Sequence, residues 1–340
     1  MSGPVSRPVT FLVDPTMYGV GSEPPRDVYG DLDRVVRTDL YYHYSTPVCA
    51  QRWLDVCEDP AYGHRALLDA IGGAMPAVAE ALRAASPGSR KLSLCSLGPG
   101  DGSVDERMLL GLAPAFEGLS YTGVDFSFEL LRRSVRRLAS SAGLPEGLSL
   151  TAVCADFTGV RSVPLRGDDG AVRLFALTGF TFGNYTERAL LADISALMEG
   201  GDFLFLDARL HPFGTLPDDM VAFNRERQGL LASYDLESVR RFVFGPVEVA
   251  TTAVASDVRF GFEHTRSVTT VPNALSLVIS CLGLDATLRL TGARVRRERL
   301  DLAVTTSYHL VDLAEWLGRS GFSMVWRGAT DGMAFFLLRR

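Results

Sequence analysis

Between Gly98 and Ser103 the chain reads Gly-Pro-Gly-Asp-Gly-Ser, and 27 residues after Gly98 an apolar run ends on Asp125. Glycines let a backbone approach a ligand closely and take φ values barred to other residues. The helical spacing that follows places unsatisfied N–H groups beside the turn. An acid at this separation suits the hydroxyls of a ribose, provided strand, turn, helix and strand occur in that order. A pyrophosphate would ask for a third glycine where Ser103 stands, and Asp101 and Asp105 would crowd its charge. S-adenosylmethionine has no phosphate and carries a sulfonium and an ammonium, so an acidic turn suits it. The bland alternative is a turn that merely joins strand to helix.

Further candidates lie at other strand ends. Asp156 follows Cys154-Ala155 and is placed to bond an adenine amino group, with Phe157 against the ring; as a turn or N-cap aspartate it would need no ligand. Phe126 follows Asp125 directly. Thr178 opens the stretch Thr-Gly-Phe-Thr-Phe-Gly-Asn-Tyr-Thr, in which Asn184 precedes a helix start at Thr186-Glu187. An amide at Asn184 can accept a hydrogen bond from a substrate amine without carrying charge. Tyr41, Tyr42, Tyr44, Trp53 and Tyr62 crowd into one stretch broken by Pro47 and Pro60. Some must be core, but tyrosines in broken, polar-flanked spacing also suit a pocket wall, offering an apolar face and a hydroxyl together.

These residues need a scaffold that delivers them to one edge. After a helix over 65–84, the pattern predicts strand 92–97, helix 104–114, strand 119–125, helix 127–142, and strands 148–154 and 172–178. Helix 186–198 and strand 202–207 follow. Such alternation implies an α/β, doubly wound, Rossmann-like parallel sheet, with ligands beyond the carboxyl ends of the strands. Residues 1–30, rich in Pro, Gly and Ser, read as an arm. After Asp207 the alternation stops: 216–243 reads as helical and 246–306 as strands, Arg294–Leu302 alternating as in an antiparallel sheet with one wet face. A helix over 309–320 and two final strands return to the core. The expected division is an arm and aromatic segment over 1–62, a core over 63–210 and 307–340, and an inserted substrate lobe over 211–306.

Composition narrows the class. The 340 residues carry a net charge of −6, with Lys91 the sole lysine. An acidic chain is a poor match for nucleic acid or an anionic membrane surface. The cluster Arg132-Arg133-Ser134-Val135-Arg136-Arg137 reads as a solvated helix face. Five cysteines without a C-x-x-C pair and five scattered histidines predict neither zinc site nor disulfide framework. Cys95 and Cys154 read as small core residues. No bilayer-spanning run and no signal-peptide pattern is present, so the expectation is a cytoplasmic protein.

Strand-GPGDGS-helix, TGVDFS, ADF and the TFGNYT loop, in this order and spacing, resemble the S-adenosylmethionine-dependent histidine Nα-methyltransferase family of ergothioneine biosynthesis. The resemblance runs from about residue 40 to 340 and is sharp in the core motifs. It implies a cofactor site of Gly98, Gly100, Asp125, Asp156 and Phe157, to which position adds Ser103, Phe126 and Thr178. It implies Asn184 and Tyr62 at the substrate's amino and carboxylate ends, with Tyr44 closing the pocket. Two departures bear on the acceptor. Asp105 and Arg107 stand where the family carries a lysine after its glycines. Where the family sets a Glu two residues before a Ser to anchor imidazole, this chain has Thr305-Thr306-Ser307. An unpaired imidazole N–H would cost roughly 1–3 kcal/mol. The acceptor implied is therefore another amino acid or a small amine in specialised biosynthesis, methylated on nitrogen without a metal. Rival readings are methyl transfer to RNA or protein, a catalytically silent partner protein and, more distantly, a nicotinamide-dependent dehydrogenase. Oligomeric state is not legible.

Overall fold

A computed structural model describes residues 7–14, 43–158, 170–226, 234–266, 268–330 and 332–340. Tyr41 and Tyr42 of the aromatic stretch lie outside the described residues. The core is an eight-stranded sheet of order β1-β4-β3-β2-β5-β6-β11-β10. Its strands are β1 (Val9–Val13), β2 (Lys91–Leu97), β3 (Gly118–Asp125), β4 (Ser149–Cys154), β5 (Val172–Leu177), β6 (Phe203–Arg209), β10 (Ser323–Thr330) and β11 (Met333–Arg339). All neighbours from β1 to β6 are parallel, whereas β11 runs antiparallel to both β6 and β10. Six of the seven β2 residues are buried, as a strand covered on both faces requires. The order reverses between β2 and β5, which opens a crevice at their carboxyl ends.

Helices α1 (Pro47–Glu58), α2 (His64–Ala85), α3 (Ser103–Leu112), α4 (Phe128–Ser140), α5 (Glu187–Leu197) and α8 (Leu310–Gly318) accompany the sheet. Leu67, Ile71, Met75, Val78 and Leu82 recur at helical spacing along α2, and all are buried. Cys95 and Cys154 are buried among apolar neighbours, as their types predicted.

The arm reading needs correction at one point. Val9–Val13 pairs with Leu150–Cys154 and extends the core sheet at its edge. Arg7 anchors it by donating to the carbonyls of Leu138, Ala139, Ser141 and Pro145 at 2.9–3.2 Å.

Between β6 and α8 lie α6 (Met220–Glu226), α7 (Glu237–Ala250) and a three-stranded antiparallel sheet, β7 (Arg259–Thr265), β8 (Leu275–Thr287) and β9 (Arg294–Ser307). Val247–Ala250, expected as strand, instead completes α7. Val239, Val243 and Val247 stand four apart and share that helix's buried face, so packing overrides their β-propensity. Arg294, Arg296 and Arg299 lie on the wet face of β9 and pair with Asp285, Glu263 and Asp301.

Candidate active site

Beyond the carboxyl ends of β2, β3 and β5 lies a cavity of about 760 Å³, open mouth included. Gly98, Gly100, Asp101 and His64 form one wall, Asp125, Phe126 and Phe157 another, and Thr178, Asn184 and Tyr185 a third; Tyr44, Trp53 and Cys57 close over them. Gly98 and Gly100 adopt φ of 75° and 58°. A Cβ on Gly100 would come 3.6 Å from the Trp53 indole nitrogen, occupying space the cavity now owns.

Asp125 is 5% exposed at the end of β3. Its Oδ1 accepts the Ser127 N–H at 2.8 Å, which fixes the carboxylate at the crevice edge. Burial raises its pKa to about 7 against the opposing pull of the Ser127 and Gly100 amides. Asp101 is held by a relay: Oδ1 accepts the Ser103 N–H at 3.0 Å and hydroxyl at 2.6 Å, and Oδ2 accepts from Arg137 at 2.8 Å. Arg137 thus pins the glycine elbow and is more than part of a solvated face. Arg132 and Arg133 pair with Glu129.

Asp105, expected beside the ligand, points elsewhere. It is fully buried and accepts from the hydroxyls of Ser96 and Tyr121, both at 2.8 Å. Its place in the first turn of α3 turns it under the sheet, and burial raises its pKa to about 7.

Of the other expected residues, Gly98, Gly100, Phe126, Phe157, Thr178, Asn184 and Tyr44 line the cavity. Ser103 is outside the lining and acts on Asp101, while its hydroxyl also meets His64 Nε2 at 3.1 Å. Asp156 is exposed and closes a turn on the Thr158 N–H and hydroxyl at 2.9 and 2.8 Å. Tyr62 stands one layer behind, its ring 6.0 Å from that of Trp53. Burial pushes the Tyr44 and Tyr62 hydroxyls well above the ordinary tyrosine range, so both remain donors.

Asn184 ends a short 3-10 turn, Thr181–Asn184, and among the described residues no group hydrogen-bonds its amide. The turn is set by Asp207, whose two oxygens accept the N–H groups of Gly179 and Phe180 at 2.9 and 2.8 Å. That grip holds Phe180 at a φ of 60°, a strained value for a residue with a side chain. Burial raises the Asp207 pKa to about 7.

Thr305 and Ser307 flank Thr306 at the end of β9, which packs on the same turn. They do not line the cavity. Thr306 points inward, its hydroxyl 3.0 Å from that of Ser276. The buried carboxylate nearby, Glu187, is engaged by the hydroxyls of Thr269 (2.6 Å), Thr270 (3.3 Å) and Tyr308 (3.1 Å).

The profile of the family described as "Histidine-specific methyltransferase, SAM-dependent" matches residues 56–244, more than half of the chain. The protein is a member of that family. This methyltransferase therefore uses S-adenosylmethionine, and its cavity fits one: an elbow open at Gly98 and Gly100, a carboxylate at the edge and, among the described residues lining it, no cluster of cations for phosphates. No curated protein sequence matches it. Solved structures similar to the methyltransferase include a glycopeptide N-methyltransferase complexed with sinefungin (14% identity, covering 78% of this chain and 85% of that one, TM-score 0.36). A SAM-dependent methyltransferase from Methanosarcina mazei matches at 12% identity over 73% and 92%, TM-score 0.36. A mitomycin 7-O-methyltransferase matches at 16% over 85% and 60%, TM-score 0.38.

Two contributors were not fully read from the sequence. His64 gave no signal because it stands at a helix start far from the motifs; burial lowers its pKa, so it enters the site neutral. Asp207 was legible as a strand-end acid, but its partners are two backbone amides that no pattern announces. Among the described residues no group of side chains could hold a metal ion, and no helix is long and apolar enough to cross a membrane.

Proposed function

We propose that this methyltransferase transfers a methyl group to the amine nitrogen of an amino acid or related small molecule other than histidine. The observation that carries the reading is Asn184: an amide without a hydrogen-bond partner among the described residues, on the same cavity as the glycine elbow and Asp125. In this reading Gly98, Gly100, Asp125, Phe126, Asp156, Phe157 and Thr178 hold the cofactor, and Ser103 steadies the elbow through Asp101. S-adenosylmethionine, when bound, supplies a methyl group already activated by its sulfonium. What remains for the chain is to orient a neutral amine and exclude water. Such positioning can supply roughly 7–11 kcal/mol in favourable cases. Asn184 accepts from the amine, Tyr62 and Tyr44 bound the acceptor, and residues 211–306 form the substrate lobe.

Histidine is disfavoured because the strand end Thr305–Ser307 brings no carboxylate to the turn, and Glu187 is already spent on three hydroxyls. The five cysteines are all free thiols, in keeping with a cytoplasmic, reducing setting. The test is methyl transfer from S-adenosylmethionine to a panel of the twenty amino acids and their decarboxylated amines, read by product mass. Turnover of a panel member above that of histidine is expected. Histidine as the best acceptor, or no binding of S-adenosylhomocysteine, would overturn the reading.

A further inference from the structure

Arg209 is the last residue of β6, two positions after Asp207 and so on the same side of the sheet. Its guanidinium carbon lies 4.4 Å from the ring centre of Phe180, 5.1 Å from that of Tyr234 and 5.9 Å from that of Tyr62. Among the described residues no carboxylate forms an ion pair with Arg209. The nearest acid, Asp207, spends both oxygens on Gly179 and Phe180. Among the described residues Arg209 Nε is buried without a hydrogen-bond partner, and so is the hydroxyl of Tyr234. Aromatic faces attract the cation but take up none of its in-plane donors. Two neighbouring buried polar groups left unsatisfied among the described residues is a combination proteins rarely leave standing.

We infer that Arg209 and Tyr234 form an oxyanion subsite that holds the carboxylate of the methyl acceptor. This rests on the reading above and narrows it to carboxylate-bearing amines. The position is apt: Phe180 starts the turn that ends at Asn184, β6 packs on that turn, and Tyr62 abuts Trp53 at the cavity wall. A guanidinium matches a planar carboxylate with two parallel hydrogen bonds, which a lysine cannot. A singly charged carboxylate is favoured over a phosphate because Asp207 already places negative charge beside the slot.

The test uses the whole protein, 15N-labelled and saturated with S-adenosylhomocysteine. The Arg209 Nε–Hε resonance, identified by its loss in Arg209→Gln, is followed during titration with acetate and, separately, with inorganic phosphate. Acetate should move it saturably, with phosphate weaker, and should raise the melting temperature of wild type but not of Arg209→Gln. Tyr234→Phe should weaken acetate several-fold. With an amino acid acceptor, Arg209→Gln should raise KM at least tenfold at little cost in kcat, and Arg209→Lys should restore part of it. Equal S-adenosylhomocysteine affinity in wild type and variants shows that the fold is intact. A silent resonance, tighter binding of phosphate, or a fall in kcat with unchanged KM would overturn the subsite. Failure to bind S-adenosylhomocysteine would instead sink the methyl-transfer reading, and the acetate titration would still report on Arg209.

Discussion

Gly183 and Thr306 touch backbone to backbone: a Cβ placed on Gly183 would stand 2.5 Å from the Thr306 carbonyl oxygen and 3.1 Å from its nitrogen. The turn carrying Asn184 is therefore seated directly on β9 of the inserted layer. Gly183→Ala must push the two apart. Turnover should fall more than tenfold while S-adenosylhomocysteine affinity, measured by calorimetry, changes less than threefold. An unaffected turnover would show that the contact does not set Asn184.

Replacing Asn184 itself separates acceptor from cofactor. Asn184→Ala should lower kcat/KM for the acceptor by about 100-fold, roughly the 2–3 kcal/mol of an oriented hydrogen bond to a reacting group. Affinity for S-adenosylhomocysteine should hold. Parallel losses in both would place Asn184 in the cofactor site.

Asp125 gives cofactor binding a pH dependence of known sign. A ribose diol donates to an ionised carboxylate, and this one has a pKa of about 7 in the folded chain. Affinity should therefore climb as pH rises from 5.5 through 7 and level off by 8.5. Asp125→Asn should bind at least tenfold more weakly at pH 8 and lose the slope; Asp125→Ala should abolish binding. A flat wild-type profile would detach the carboxylate from the ribose.

Asp105 touches no ligand and lets burial be read alone. Its pKa rises from 3.8 unfolded to about 7 folded. The folded state then holds a proton that the unfolded state releases, so stability falls as pH climbs from about 4 to 7. Asp105→Asn mimics the protonated form. Urea denaturation should find the variant's stability relative to wild type growing between pH 5 and pH 8, by about 2–3 kcal/mol. Parallel stability curves would contradict the assignment.

The core was legible because its signals are local. Glycine turn, apolar β2 and Asp125 at its strand end appear within single stretches, and the turn and Asp125 line the crevice where alternation predicted one. What escaped depends on partners distant in sequence. Asp105 looked like a ligand-facing acid because only the tertiary structure brings Tyr121 over it. Val247–Ala250 read as strand on type, and the burial of Val247 with Val239 and Val243 on one helical face decided for helix. Arg209 carried no motif; its lack of an ion-paired carboxylate among the described residues is a property of the assembled cage.

The placement of β11 between β6 and β10 ties both lobes into one cooperative unit. The sheet lacks its last two strands until the chain has passed out through the inserted layer and come back, and β6 presents an unsatisfied edge until β11 docks on it. A protein truncated before Met333 would keep every motif residue named above and yet expose a sticky row of amides along β6, and aggregation would precede any loss of chemistry.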